Sequence, residues 1–160
     1  MKKWLMVFSG LLVSVLANAS DKVVTQNIGM ELANDIAKES VLACRKAGYQ
    51  VSAVVVDRFG IVRATLRDDL AARFTMQIAK DKANMSVMSG LKSGAFRQQR
   101  PDIRQELNHI NGLIVMQGGV PIVSQGVRIG AVGVSGAPGG EKDEKCAIEA
   151  LDKFADRLEF

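Results

Sequence analysis

Apolar residues follow three different patterns along this chain. The first is an almost unbroken run over residues 5–16, interrupted only by Ser9, Gly10 and Ser14. Lys2 and Lys3 precede it, and Ala17-Asn18-Ala19 places small residues just after it. A basic start, an apolar centre and small residues at the end make a cleavable signal peptide, with cleavage expected after Ala19. The run is short of the ~20 residues that span a bilayer. No cysteine follows it to mark a lipoprotein, and no later stretch reaches spanning length.

The second pattern is helical. Ile28, Leu32, Ile36 and the Ala33/Ala37 pair recur at helical spacing, which predicts a helix over residues 28–47 capped by Asn27 and stopped by Gly48. Asp68 or Asp69 opens a second helix running to about Ser89, with Phe74, Ile78, Met85 and Met88 on its buried side. Ser89-Gly90 breaks it, and Ser93-Gly94 reads as loop. Pro101 suits the first turn of a short helix ending near Leu107. A last helix is expected from Glu141 to about Leu158, with acids in its first turn.

The third pattern is extended. Val51–Val56 is a β-branched run of the kind buried on both faces of a sheet. Asp57-Arg58-Phe59-Gly60 turns the chain into a partner strand, Ile61–Leu66. Three further strands are expected over Leu113–Met116, Val120–Val123 and Val127–Val134, joined by turns at Gly118-Gly119 and Gln125-Gly126. Pro121 cannot donate to a ladder and belongs at an edge or a strand start. Tight hairpins make the sheet mainly antiparallel. The organisation is a leader over 1–19, a short segment over 20–26 and one α/β (α+β) domain over 27–160.

Composition changes this picture in two places. The formal charge of +4 falls to +2 once Lys2 and Lys3 leave with the leader, so basicity gives no case for nucleic acid. The only tryptophan, Trp4, leaves as well, which removes base stacking as an argument. Cys44 and Cys146 remain. In an oxidising compartment an even count invites pairing, while two buried free thiols are the other reading.

Three segments together are distinctive: Gly118-Gly119-Val120-Pro121-Ile122, the stretch Ile129-Gly130-Ala131-Val132-Gly133-Val134-Ser135-Gly136, and Asp143-Glu144-Lys145-Cys146-Ala147. With the Val54–Asp57 strand, Gly60 and Ala79-Lys80-Asp81-Lys82-Ala83, they resemble the family that holds the glycolate-operon protein GlcG, the haem-binding protein HbpS and the C-terminal domain of PduO. The resemblance covers about residues 27–158. It implies a profilin-like sheet of five antiparallel strands, first and last helices on one face, and homo-oligomers, often octamers. Members commonly carry Asp-Gly-Ala where this chain has Asp68-Asp69-Leu70. The implied fold puts Cys44 and Cys146 at the same end of one helical layer, where a disulfide between them is expected if their Cα atoms come within about 7 Å.

The family link to haem directs attention to His109, the only histidine, as an axial iron ligand. A loop histidine with its polar tip satisfied is the plainer reading. Met85, Met88 and Met116 are alternative ligands, or core filler. Lys92, Arg97, Arg100 and Arg104 form the densest basic stretch, suited to haem propionates or a small organic acid, or else a solvated loop. Gly118 and Gly119 would line a small-molecule cleft. No phosphate-loop spacing is present, and the glycines at 130, 133 and 136 read as structural. Glu141, Asp143 and Glu144 fit helix capping better than a metal site. No nucleophilic triad surrounds His109. The expectation is an exported haem-binding protein that sequesters haem or senses redox stress. A binding module for a small hydroxy acid or corrinoid and a structural oligomer without ligand stand as alternatives.

Overall fold

Strand β1 (Ser52–Asp57) is buried along its whole length, as its β-branched run predicts. In the computed structural model, which describes residues 21–159, this strand lies inside an antiparallel sheet of order β2-β1-β4-β3. Its neighbours are β2 (Val62–Arg67) and β4 (Val127–Ser135), and β3 (Gly119–Ser124) pairs with β4 alone. Pro121 is therefore on an edge strand, where a missing N–H is harmless. The leader expected over residues 1–19 lies outside the described residues.

Alternation along the strands sorts the side chains onto two faces. Ala53 and Val55 of β1, Val120 and Ile122 of β3, and Val132 and Val134 of β4 face one core. Helix α1 (Met30–Lys46) closes it with Ala33, Ile36, Ala37, Val41 and Cys44, and α5 (Gly140–Lys153) adds Cys146 and Ala147. Cys44 and Cys146 form a disulfide with Cα atoms 5.3 Å apart, so the two helices share a face and a covalent tie. Val54, Val56 and Ala131 face the other core, against Ala79, Ala83 and Val87 of α2 (Thr75–Ser89).

Helix α2 lies unusually near the sheet. A Cβ on Gly133 would fall 1.9 Å from the Ala79 carbonyl oxygen, and one on Gly119 would fall 2.2 Å from that of Lys82. These two glycines are cross-strand partners, so together they clear a slot for the helix backbone. The slot admits only small side chains. Met85 is buried, but Phe74 and Met88 are 63% and 49% exposed, which corrects the expected buried side of this helix.

Other boundaries also differ from the pattern. Asn27 caps nothing: its Oδ1 accepts the Arg58 N–H, and α1 begins after Gly29. Helix α2 starts at Thr75 rather than Asp68 or Asp69, because the Asp68 carboxylate is taken by Arg45 and its N–H by the Val51 carbonyl. Ser93-Gly94 opens helix α3 (Ser93–Gln99) instead of a loop; the Ser93 hydroxyl accepts the Gly119 N–H, and Gly94 packs against Gln117. Helix α4 (Arg104–Leu107) is the expected short helix, and α6 (Ala155–Leu158) follows α5 as a separate turn.

Among the described residues the sheet has four strands, not five. Residues 113–116 form no strand, and the Val115 N–H goes to Asn108 Oδ1 rather than to a ladder. Val115 instead packs with Met85 and Phe96 in a small third core. Gly118-Gly119 is accordingly no hairpin turn, since Gly119 is already the first residue of β3. No helix among the described residues is long and apolar enough to cross a membrane.

Candidate functional site

The segment between α3 and β3 covers the outer side of α2 and carries Arg100, Arg104, His109, Met116 and Gly118. Arg104 and Asn108 line two depressions of about 350 and 420 Å³. The larger continues over Asp81, Ile110, residues 111–114 and Met116. Ile110 is 51% exposed and Met116 40%, an apolar surface open to solvent. Met116 is thus not core filler. His109 follows α4 in a turn, with its backbone N–H on the Glu106 carbonyl. Its neighbours Asn108 and Ile110 line the groove, whereas His109 is exposed beside it.

The basic stretch does not converge. Arg100 is already forked onto both oxygens of Asp102, at 3.0 and 2.9 Å, and this pairing holds the Asp102 carboxyl below its ordinary range. Lys92 and Arg97 are exposed near the two ends of α3. Only Arg104 reaches a cavity wall.

Gly118 and Gly119 do not line a cleft. Both are buried, and a Cβ on Gly118 would meet Lys82 Nζ and the Val134 carbonyl oxygen, each at 2.8 Å. Lys82 Nζ donates to Asp143 Oδ2 at 2.8 Å and to that same carbonyl at 3.0 Å. Asp143 Oδ1 accepts the Ala137 N–H. Burial pushes the Asp143 carboxyl above its ordinary value, against the lowering effect of Lys82. Asp143 therefore belongs to a buried ion pair. No cluster of three or more metal-ligating side chains exists among the described residues.

A separate cavity of about 450 Å³ lies across the 111–113 loop from the groove. Arg58, Phe59 and Gly60 of the β1–β2 turn form one side, Asn84, Val87 and Met88 of α2 the floor, and Arg128 of β4 the far wall. Asp57 shapes the turn by accepting the Phe59 and Ile61 N–H groups on one carboxylate oxygen.

A family model described as "Haem degrading protein HbpS-like" matches residues 28–152. The chain belongs to the HbpS-like family. Its fold is also that of solved structures. HbpS is 29% identical with a TM-score of 0.79, covering 87% of this chain and 98% of that one. ORFY of Klebsiella pneumoniae is 26% identical with a TM-score of 0.78, covering 86% and 97%. The haem complex of PduOC is 20% identical with a TM-score of 0.70, covering 79% and 94%, and shows likeness of fold alone. No curated protein matches the chain.

Within this family frame, the residues that the sequence pattern overlooked are Lys82, Asn84 and Arg128. Lys82 sits in Ala79-Lys80-Asp81-Lys82-Ala83, where a lysine that follows two charged residues reads as solvated. The one available signal was periodic: Ala79, Lys82, Ala83 and Ser86 fall on a single helical face.

Proposed function

We propose that this chain is an exported haem-binding protein, and that the groove beside α4 is where haem docks. The observation that carries this reading is an exposed apolar wall with one guanidinium at its edge, in a member of the HbpS-like family. Ile110, Leu113, Ile114 and Met116 would pack on a porphyrin face, and Arg104 would hold a propionate as a charge-assisted pair. Of the candidate iron donors, the Met116 thioether lines the groove and His109 is exposed next to its wall residues Asn108 and Ile110; His109 is the proposed iron ligand, with Met116 as the alternative. In this reading Arg97, which is outside the groove wall, and Arg100, forked onto Asp102, make no propionate contact, and the buried Gly118 and Gly119 line no cleft. Bound haem would supply the redox chemistry, while the chain supplies binding, orientation and partial exclusion of water.

The leader over residues 1–19 supports export, and export supports a role in haem sequestration or redox sensing outside the cytoplasm. Assembly into octamers is part of the same reading. Phe59, Ile61, Leu70 and Phe74, all more than 60% exposed, supply apolar surface for it near the β2 edge.

The test is a haem titration followed by Soret absorbance on wild type, His109→Ala, Met116→Ala and Arg104→Ala. The expected result is saturable binding, an altered spectrum in His109→Ala and weaker binding in Arg104→Ala. A wild-type spectrum in both His109→Ala and Met116→Ala would remove the ligand assignment, and failure of wild type to saturate would remove the function.

A further inference from the structure

The cavity between Arg58, Asn84 and Arg128 has a chemistry of its own. Two guanidinium groups border it, and no carboxylate lines it. Two of the residues that line it each carry a buried polar atom without a hydrogen-bond partner: Asn84 Oδ1, an acceptor, and Arg128 Nε, a donor. Such groups are costly unless something pairs with them. The Asn84 orientation is fixed, because its Nδ2 donates to the Gly112 carbonyl at 3.0 Å. Two glycines leave room for these two side chains to lie where they do. A Cβ on Gly60 would sit 3.1 Å from Asn84 Oδ1, and one on Gly90 would sit 2.6 Å from Arg128 Nη1. Gly90 ends α2, so the carbonyl end of that helix accounts for a cation at Arg128 but leaves Nε unsatisfied. Phe59, Val87, Met88 and Leu113 supply apolar wall.

We infer that this cavity binds a compact carboxylate with a neutral hydrogen-bond donor beside the carboxylate and an apolar side chain. A 2-hydroxy acid with an aryl or alkyl substituent is the simplest such molecule. Its carboxylate would take Arg128 Nε, with Arg58 as the second cation. Its hydroxyl would donate to Asn84 Oδ1, and its side chain would pack on Phe59 and Met88. An α-ammonium could also donate to Asn84, but two guanidinium groups disfavour a cation there. A simple carboxylate leaves the Asn84 acceptor unpaired. The site adjoins the haem groove and shares the lining residues 111–113 with it, while its two guanidinium groups and Asn84 are its own.

The test is calorimetric titration of the whole protein with L-phenyllactate, 3-phenylpropionate, L-phenylalanine and phenyllactamide. Phenyllactate is expected to bind with a Kd of about 1 mM or tighter. Loss of the hydroxyl in 3-phenylpropionate should weaken binding about tenfold, the scale of one hydrogen bond to a buried group. Phenylalanine should bind more weakly than phenyllactate, and phenyllactamide should show no binding. Arg128→Met should weaken phenyllactate at least about tenfold. Arg128→Lys, which keeps the charge and the stem, guards against a folding defect and should also weaken it. Arg104→Ala should bind phenyllactate as wild type does, and Arg128→Lys should bind haem as wild type does, which separates this site from the haem groove. No binding of phenyllactate, equal affinity for 3-phenylpropionate, or unchanged affinity in Arg128→Lys would overturn the assignment.

Discussion

Lys82 on α2 and Asp143 on α5 meet at 2.8 Å past the end of the sheet, with both side chains at least 96% buried. The pair links the two helical layers and, through the Val134 carbonyl and the Ala137 N–H, the end of β4 and the loop after it. Removing one partner strands the other charge in a dry site. Asp143→Asn should therefore cost about 3–5 kcal/mol of stability, read from the urea midpoint, whereas Lys82→Met with Asp143→Leu should recover much of it. A double variant no more stable than Asp143→Asn would show that the pair is not what holds these layers.

The Cys44–Cys146 bridge ties residues separated by 102 positions. A loop of that length should add about 4–5 kcal/mol on the chain-entropy account. Cys44→Ser with Cys146→Ser should unfold at a correspondingly lower denaturant concentration. Native protein without reductant should give no thiol labelling, and two labelled thiols would refute the bridge.

Helix α2 depends on the slot above Gly133. Gly133→Ala places a methyl on the Ala79 carbonyl, so the helix must shift away or distort. Overpacking of this kind costs about 1–3 kcal/mol, and here backbone takes the collision, so the upper end is expected. Gly126→Ala is the contrast for space, because nothing lies within 4 Å of a Cβ there. Its positive φ still imposes a smaller penalty of its own. Equal melting temperatures for the two variants would contradict the close approach.

Asp68 and Asp143 respond to acid in opposite senses. Arg45 donates to Asp68 and holds that carboxyl below the ordinary aspartate range. Its stabilising contribution is full above the unfolded value, near pH 4, and is lost as pH falls through the lower folded value. Burial raises Asp143, so its contribution is full below the ordinary value and fades as pH rises through the folded one. Asp68→Asn should therefore flatten the acid limb of the stability curve relative to wild type. An unchanged acid limb would exclude Asp68 as its source.

Much of this protein is legible along the chain. The Val-rich run over Val51–Val56 implies a strand buried on both faces, because no charged position interrupts it and its one polar residue, Ser52, is small, and β1 is that strand. Pro121 implies an edge, and Ile28 through Ala37 imply one packed helical face. The apolar pattern over residues 113–116 implies a strand, and the structure leaves them outside the sheet. Whether they join the sheet turned on one side-chain oxygen, that of Asn108, taking the Val115 N–H.

Local pattern reports how often a position is buried; it does not report what the position meets. That difference separates the two halves of the result. The sequence by itself determined the order of the main helices and of the four strands that form the sheet, though not α3, together with the antiparallel pairing and the chemical case for a Cys44–Cys146 bridge. Only the tertiary structure decided that Lys82 is buried, since its partner lies 61 residues away on another helix. It also decided that Gly119 makes room for α2, and Gly118 for the Lys82–Asp143 pair, rather than line a cleft. Arg58, Asn84, Gly112 and Arg128 come from four segments with no common spacing. They share a cavity because the sheet and α2 bring those segments together, and no periodicity along a chain encodes that meeting.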